Sequence, residues 1–245
     1  MPDELTARLA DGAFKTTHWS VVLFAAENSS EGAHALETLC RGYWYPVYVF
    51  ARRRGCSPPE AEDVTQGFFA QLLANGSLAG VHPQQGKFRS FLLGSMKLYL
   101  ANHWRDANRL KRGGGHEILS WDQLRPEERY QLELVDGKSP EEAFDQRWAA
   151  NLVARCLNRL REELTAEGGE GRYEKLKSYL QHRQTPPLYG DCATSLGLSE
   201  AAVKSAVFRL RRRYAEIVRE EISQTVAAPG DIEEEMRHLI TMLAR

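Results

Sequence analysis

The sequence predicts an all-α protein of two small helical domains joined by an acidic linker, and three observations carry that prediction. Apolar residues recur at three-to-four spacing through most of the chain. Two serine–proline clusters, Ser57-Pro58 with Glu60 and Ser139-Pro140 with Glu141 and Glu142, read as helix starts closed by capping boxes. Sustained alternation of apolar and polar residues, the mark of a strand, is absent.

Thr17 to Ala26, the first element, is short and apolar enough for a helix that packs on the next one. Ser30 starts a helix to about Tyr43, and Pro46 restarts or kinks it before Val47 to Arg54. The helix opened at Ser57 puts Val64, Phe68 and Leu72 on one face with Phe69 and Leu73 beside them, and Asn75-Gly76 ends it. Phe88, Phe91, Leu92, Ser95 and Tyr99 mark a helix to about Arg112, stopped by Gly113-Gly114-Gly115. Gly113 to Lys138 loses the pattern and forms the linker, with a short helical turn near Glu127 to Leu134. From Ser139 the apolar stripe is Phe144, Trp148, Leu152 or Val153, Cys156 or Leu157, Leu160 and Leu164, ended by Gly168-Gly169. Tyr173, Leu176, Tyr179 and Leu180 define the next helix before the Thr185-Pro186-Pro187 break. The chain thus divides into an extension (1–29), a first domain (30–112), a linker (113–138), a second domain (139–224) and a tail helix (225–245).

Bulk properties narrow the function. The 245 residues are 42% apolar and 27% charged, enough for real cores. No apolar run is long enough to span a bilayer, so no membrane insertion is expected, and Met1 to Ala10 lacks the apolar core of a secretory signal. Cys40, Cys56, Cys156 and Cys192 are scattered without metal or redox spacing, which predicts buried thiols and a cytoplasmic location. The seven histidines lie far apart, and neither a phosphate loop nor a nucleophile motif occurs. No enzyme, metal or cofactor is expected. The net charge is −1, but the balance is local. Lys87, Arg89, Lys97, Arg105, Arg109, Lys111 and Arg112 gather in one stretch, and Lys204, Arg209, Arg211, Arg212 and Arg213 in another. Two basic segments separated by acids suggest two nucleic-acid contacts on separate modules.

The C-terminal module carries the sharpest motif. Leu188 to Gly197 reads as a short helix with Cys192, Ala193 and Leu196 inward. Gly197 turns the chain, Leu198 plugs the core, and Ser199 caps a second helix with Val203, Val207 and Leu210 inward. These are the parts of a helix-turn-helix. Ser199, Glu200, Ala202, Lys204 and Ser205 are then offered to a major groove, with Arg209, Arg211, Arg212 and Arg213 placed for the flanking phosphates. The plainer reading is a helical hairpin with a solvated basic face.

In the N-terminal module, Ala61-Glu62-Asp63-Val64-Thr65-Gln66-Gly67-Phe68-Phe69 is followed after a loop by Phe88-Arg89-Ser90-Phe91-Leu92, which opens the basic helix. This pair resembles region 2 of the extracytoplasmic-function (ECF) subfamily of bacterial RNA polymerase sigma factors. There an acidic A-E-D-x-x-Q-x-x-F helix precedes an F-R-x-[WF]-L helix that ends in Arg and Lys. Tyr189 to Arg213, with Leu196-Gly197-Leu198-Ser199 and Val203-Lys204-Ser205, is similar to the family's region 4. Order and separation agree over roughly Leu36 to Glu221.

The resemblance implies a role for each segment. Glu62, Asp63 and Gln66 would dock on a basic coiled coil of core RNA polymerase; a solvated helix face is the plainer reading. Lys87, Arg89, Lys97, Arg105 and Arg109 would form a cationic track for the melted −10 promoter element, with Asn102, His103 and Trp104 as base readers. The helix-turn-helix would read the −35 element in promoter DNA. Phe88, Phe91 and Tyr99 keep helical spacing and belong to the core. A conventional helix-turn-helix regulator acting without polymerase is the alternative.

Some positions depart from the family pattern. Thr65 and Gly67 stand where it shows an aliphatic residue and an acid. A phosphate on Thr65 would restore negative charge beside Asp63, which brings in a kinase, or else an anti-sigma factor, as regulator. In the tail, Met236, Leu239, Ile240 and Leu243 form an apolar stripe expected to fold back on the last domain, the other reading being a docking helix for a regulator.

Overall fold

The computed structural model describes residues 30–74, 87–107, 126–132, 137–166, 170–180, 187–226 and 228–244. Among them the fold is all-α, without a strand. The helices are α1 (Ser30–Arg53), α2 (Pro58–Ala74), α3 (Phe88–Ala107), α4 (Pro126–Leu132), α5 (Pro140–Ala166), α6 (Glu170–Leu176), α7 (Tyr189–Leu196), α8 (Glu200–Ser223) and α9 (Ile232–Leu243). Short 3-10 turns occupy Lys177–Tyr179 and Pro229–Asp231. Thr17–Ala26, Asn75-Gly76, Gly113-Gly114-Gly115, Gly168-Gly169 and Arg109 lie outside the described residues. No described helix is long and apolar enough to cross a membrane.

Contacts divide the chain into two compact units, one from 1–150 with 222–245 and the other from 151–221. In the first, α3 places Phe88, Leu92, Met96 and Leu100 in the core at a strict four-residue interval. Ala61, Val64, Phe68 and Leu72 of α2 are buried likewise. Tyr43 meets Phe88 edge-on at 5.3 Å, and Phe68 meets Tyr99 at 5.7 Å. α1 runs unbroken through Pro46, where the sequence predicts a restart or kink. An internal proline costs a helix about 3 kcal/mol. Here Tyr45, Val47, Tyr48, Val49, Phe50 and Ala51 are all buried, and burying each large side chain returns roughly 1.5–3 kcal/mol.

The helical turn expected in the linker is α4, and it is anchored. Glu127 accepts hydrogen bonds from Arg52 Nε (2.8 Å), Arg52 Nη2 (2.9 Å) and the Tyr48 hydroxyl (2.6 Å). Burial alone would raise the Glu127 pKa, but these bonds outweigh it and hold the carboxyl below its ordinary range. The second capping box forms in full, and the first through its Glu60 carboxylate. Glu60 accepts from the Ser57 backbone N–H at 2.8 Å, and Ser139 and Glu142 bond reciprocally at 3.0 and 3.1 Å.

The tail differs from expectation. Its buried face is Glu235, Leu239 and Met242, while Ile240 and Leu243 of the expected stripe are exposed. Glu235 is drawn in by Arg89, and His238 lies beside Asp145 and Trp148. α9 therefore packs with α3 and the start of α5, and is grouped apart from the helix-turn-helix.

In the second unit, α5 buries Leu152, Cys156 and Leu160, which decides between the paired alternatives in its stripe. Tyr173, Leu176 and Tyr179, then Val203, Val207, Leu210, Ile217 and Val218, complete this core. Cys56, Cys156 and Cys192 are buried free thiols, and burial pushes the Cys156 thiol up to about 12.

Candidate nucleic-acid interface

The turn between α7 and α8 is built by local hydrogen bonding. Gly197 adopts φ 63°, a left-handed conformation that costs glycine nothing. Its N–H reaches the Thr194 carbonyl at 3.3 Å, and the Leu198 N–H reaches Ala193 at 3.0 Å. This pair of bonds is a Schellman closure of α7. Ser199 then caps α8 by accepting the Ala202 N–H at 3.2 Å. Cys192 and Ala193 beneath the turn, and Val203, Val207 and Leu210 along α8, are buried. Two helices joined by three residues, with this core, form a helix-turn-helix.

The burial of Val203, Val207 and Leu210 decides what α8 shows to solvent. Lys204, Phe208 and Arg212 succeed one another at four-residue intervals on the exposed side, with Ser205 and Arg209 beside them. Phe208 is 68% exposed, a large apolar ring set among cations with no cover from its own unit. It is the group that sequence reasoning missed. A phenylalanine off the Val203–Val207–Leu210 stripe was the available signal.

The basic run along α8 is not uniform. Arg211 donates twice to the Tyr179 carbonyl, at 3.2 and 3.0 Å, and so caps the 3-10 turn. Arg213 is gripped by Glu163 at 2.7 and 2.8 Å, with Glu216 and Glu220 beside it, and the Glu163 bond raises its pKa. These two arginines brace the unit through those bonds, although Arg211 stays exposed and Arg213 half-buried. Arg212 pairs within the helix with Glu216 (3.0 Å), and Lys204 with Glu200 (2.7 Å) while lying 5.5 Å from the Tyr189 ring centre. Such exposed intrahelical pairs contribute little and yield readily to a phosphate. Arg209 is exposed and Ala202 half-buried.

No family model, curated protein or solved structure matches the chain. The ECF resemblance stands on the sequence motifs alone.

The first unit places its expected residues in three groups. On α2, Asp63 is exposed, with Glu62 and Gln66 half-buried. Thr65, between them, is 0% exposed, which removes it as a phosphorylation site: a phosphate there would clash with the core. Its hydroxyl finds no hydrogen-bond partner. Gly67 is explained by contact, because a Cβ there would collide with the Tyr99 hydroxyl. At the end of α3, Asn102, His103, Trp104 and Arg105 are exposed; His103 stacks on Tyr99, and the Arg54 guanidinium lies 5.9 Å from the Trp104 ring centre. Lys97, mid-helix, pairs with Glu141 at 2.8 Å.

The start of α3 is different. Arg89 is only 8% exposed, donating to Asp145 at 2.8 Å and to Glu235 at 2.5 and 3.3 Å. Lys87 meets Glu234 at 2.7 Å and Glu235 at 3.1 Å. Burial alone would lower both pKa values, and these carboxylates more than reverse it. Arg89 and Arg105 stand about 24 Å apart along the helix axis. In this conformation the described part of the expected track is closed at Lys87 and Arg89 and exposed at Lys97 and Arg105.

Proposed function

We propose that this chain is a sigma subunit of the ECF type, which binds core RNA polymerase and directs promoter recognition, DNA melting and transcription initiation. The observation that carries the reading is the exposed stripe of Lys204, Phe208 and Arg212 on the second helix of a helix-turn-helix. Cations there engage phosphates and polar base edges, and the Phe208 ring suits a thymine methyl group. The resemblance supplies the second module. Asp63, with Glu62 and Gln66, is the polymerase contact, and Asn102, His103, Trp104 and Arg105 form an exposed cation-and-aromatic cluster for separated bases. A net charge of −1 suits a subunit that borrows its grip on DNA from the polymerase. A cytoplasmic location goes with this function.

Purified protein with core polymerase should give run-off transcription from a subset of fragments of its own genome. Changing Asp63 with Gln66, or Lys204 with Arg209, should abolish it. The internal pairing of Lys87 and Arg89 favours a second reading, a conventional regulator that uses the helix-turn-helix alone. Tight binding to intact duplex without any binding to core polymerase would establish that reading instead.

A further inference from the structure

We infer that α9 is an intramolecular latch whose Glu234 and Glu235 occupy, in the free chain, the positions that nucleic-acid phosphates take at Lys87 and Arg89. Only the identity of that nucleic acid, a promoter strand, rests on the proposed function.

Three observations lead there. The first is substitution in kind. Two carboxylates sit on two cations at the head of a basic helix, and charge-assisted bonds of this sort re-form on phosphate oxygens with little loss. Arg89 keeps its bond to Asp145 when α9 leaves, so it remains oriented rather than stranded.

The second is that the docked state leaves polar groups unsatisfied. The Trp148 indole N–H is fully buried without a hydrogen-bond partner, under the His238 ring. His238 Nε2 is also buried, and its 3.4 Å approach to Asp145 lacks hydrogen-bond geometry. A seat evolved for permanence would satisfy such groups.

The third is the thinness of the apolar hold. Within α9 only Leu239 and Met242 are buried apolar residues, while Ile240 and Leu243 face solvent. A short 3-10 turn at Pro229–Asp231 leads into the helix, and the nearest anchor before it is the Thr225 carbonyl, which accepts from the Phe88 N–H at 3.1 Å. Elements held by few apolar contacts are the ones that open below the global unfolding free energy.

The test measures binding of a fluorescein-labelled single-stranded oligodeoxynucleotide by the full chain, across a salt series. Two variants release the latch in different ways: Leu239→Asp puts a charge into its apolar seat, and Glu234→Gln with Glu235→Gln removes its carboxylates. Freeing two cations should tighten binding roughly ten- to thirtyfold near 0.1 M salt and steepen the log–log salt slope by about 1.4. Adding Lys87→Ala to Leu239→Asp should return about half of that slope. Unchanged affinity and slope in variants that melt like the parent would overturn the latch. If Leu239→Asp does not fold, the solvent-facing change Glu234→Gln carries the test, with tightening of roughly threefold expected and no change overturning the inference. A parent chain that ignores core polymerase defeats the proposed function and leaves this result standing, because the oligonucleotide assay contains no polymerase.

Discussion

At the start of α3, Lys87 and Arg89 turn inward onto Glu234, Glu235 and Asp145; along α8, Lys204, Phe208, Arg209 and Arg212 turn to solvent. In sequence both segments are basic. They differ in where the neighbouring acids lie. The partners of Arg89 come from 56 and 146 residues away, while Arg212 and Lys204 use acids four residues along the same helix. Here the distant carboxylates brought by packing bury Arg89, whereas the intrahelical ones leave Lys204 and Arg212 exposed and exchangeable. Charge clusters alone therefore do not separate a binding surface from an internal brace, and α8 contains both, since Arg211 and Arg213 are braces.

The largest effect should come from reversing charge on the outward side. Lys204→Glu with Arg209→Glu should weaken duplex promoter binding by about a hundredfold or more, each contact contributing roughly 1–3 kcal/mol. Arg213→Gln, nominally the same loss of a cation, should change binding less than about threefold and lower the melting temperature instead. Anisotropy and thermal melts on the same samples separate the two. Equal losses of binding would erase the distinction between surface and brace.

On the inward side, α2 offers a sharper test of packing. Gly67→Ala forces the Tyr99 hydroxyl aside, and overpacking of that kind costs about 1–3 kcal/mol. In a Tyr99→Phe background the obstructing oxygen is gone, and the same change should become neutral or gain up to about 1 kcal/mol from helix propensity. Urea titrations of the four proteins form the cycle. Thr65→Val, which removes an unpartnered buried hydroxyl at nearly constant shape, should stabilise by about 1 kcal/mol, and Thr65→Glu should unfold the unit.

Those residues also show what the sequence could disclose. The faces Val64–Phe68–Leu72 and Val203–Val207–Leu210, and the turn at Gly197, were legible because helix periodicity and chain reversal are local properties. The helix does not restart at Pro46, because the proline's cost is local while the burial that offsets it is tertiary. The tail misled for a related reason. Hydrophobicity alone selects Met236, Ile240 and Leu243, but a partner 146 residues away allows Glu235 to be buried and rotates the helix onto another face. Thr65 and Gly67 stood out as departures from a pattern, and only their neighbours give the reason. Phe208 was overlooked because an aromatic in a basic run is read as core until its register is known.

A smaller effect tests Phe208. If its ring meets a thymine methyl, replacing that thymine with uracil removes one methyl group and about 0.8 kcal/mol, close to fourfold in affinity. Scanning uracil through a selected −35 site should reveal one such position, and Phe208→Ala should flatten it. A scan that is flat for the parent as well would make the exposed ring a bystander, leaving α8 to recognise DNA through its cations alone.

The smallest expected effect lies back at the latch, and it is one of sign. His238 is faced by Lys87 just before α3, by Arg89 of α3, by Asp145 and Trp148 of α5, and by Glu235 of its own helix. Burial, then the Arg89 charge, holds its pKa below the ordinary histidine value, against the pull of Asp145 and Glu235. The undocked helix therefore takes up a proton more readily than the docked one. Docking is fully retained above the ordinary value of about 6.5 and weakens as pH falls through it toward the depressed value of the docked state. Melting temperatures tracked from pH 7.5 down to 5.5 should decline more steeply for the parent than for His238→Gln, which cannot titrate. Parallel curves would place His238 outside the balance that holds α9, and would leave the carboxylates on Lys87 and Arg89 as its polar fastening.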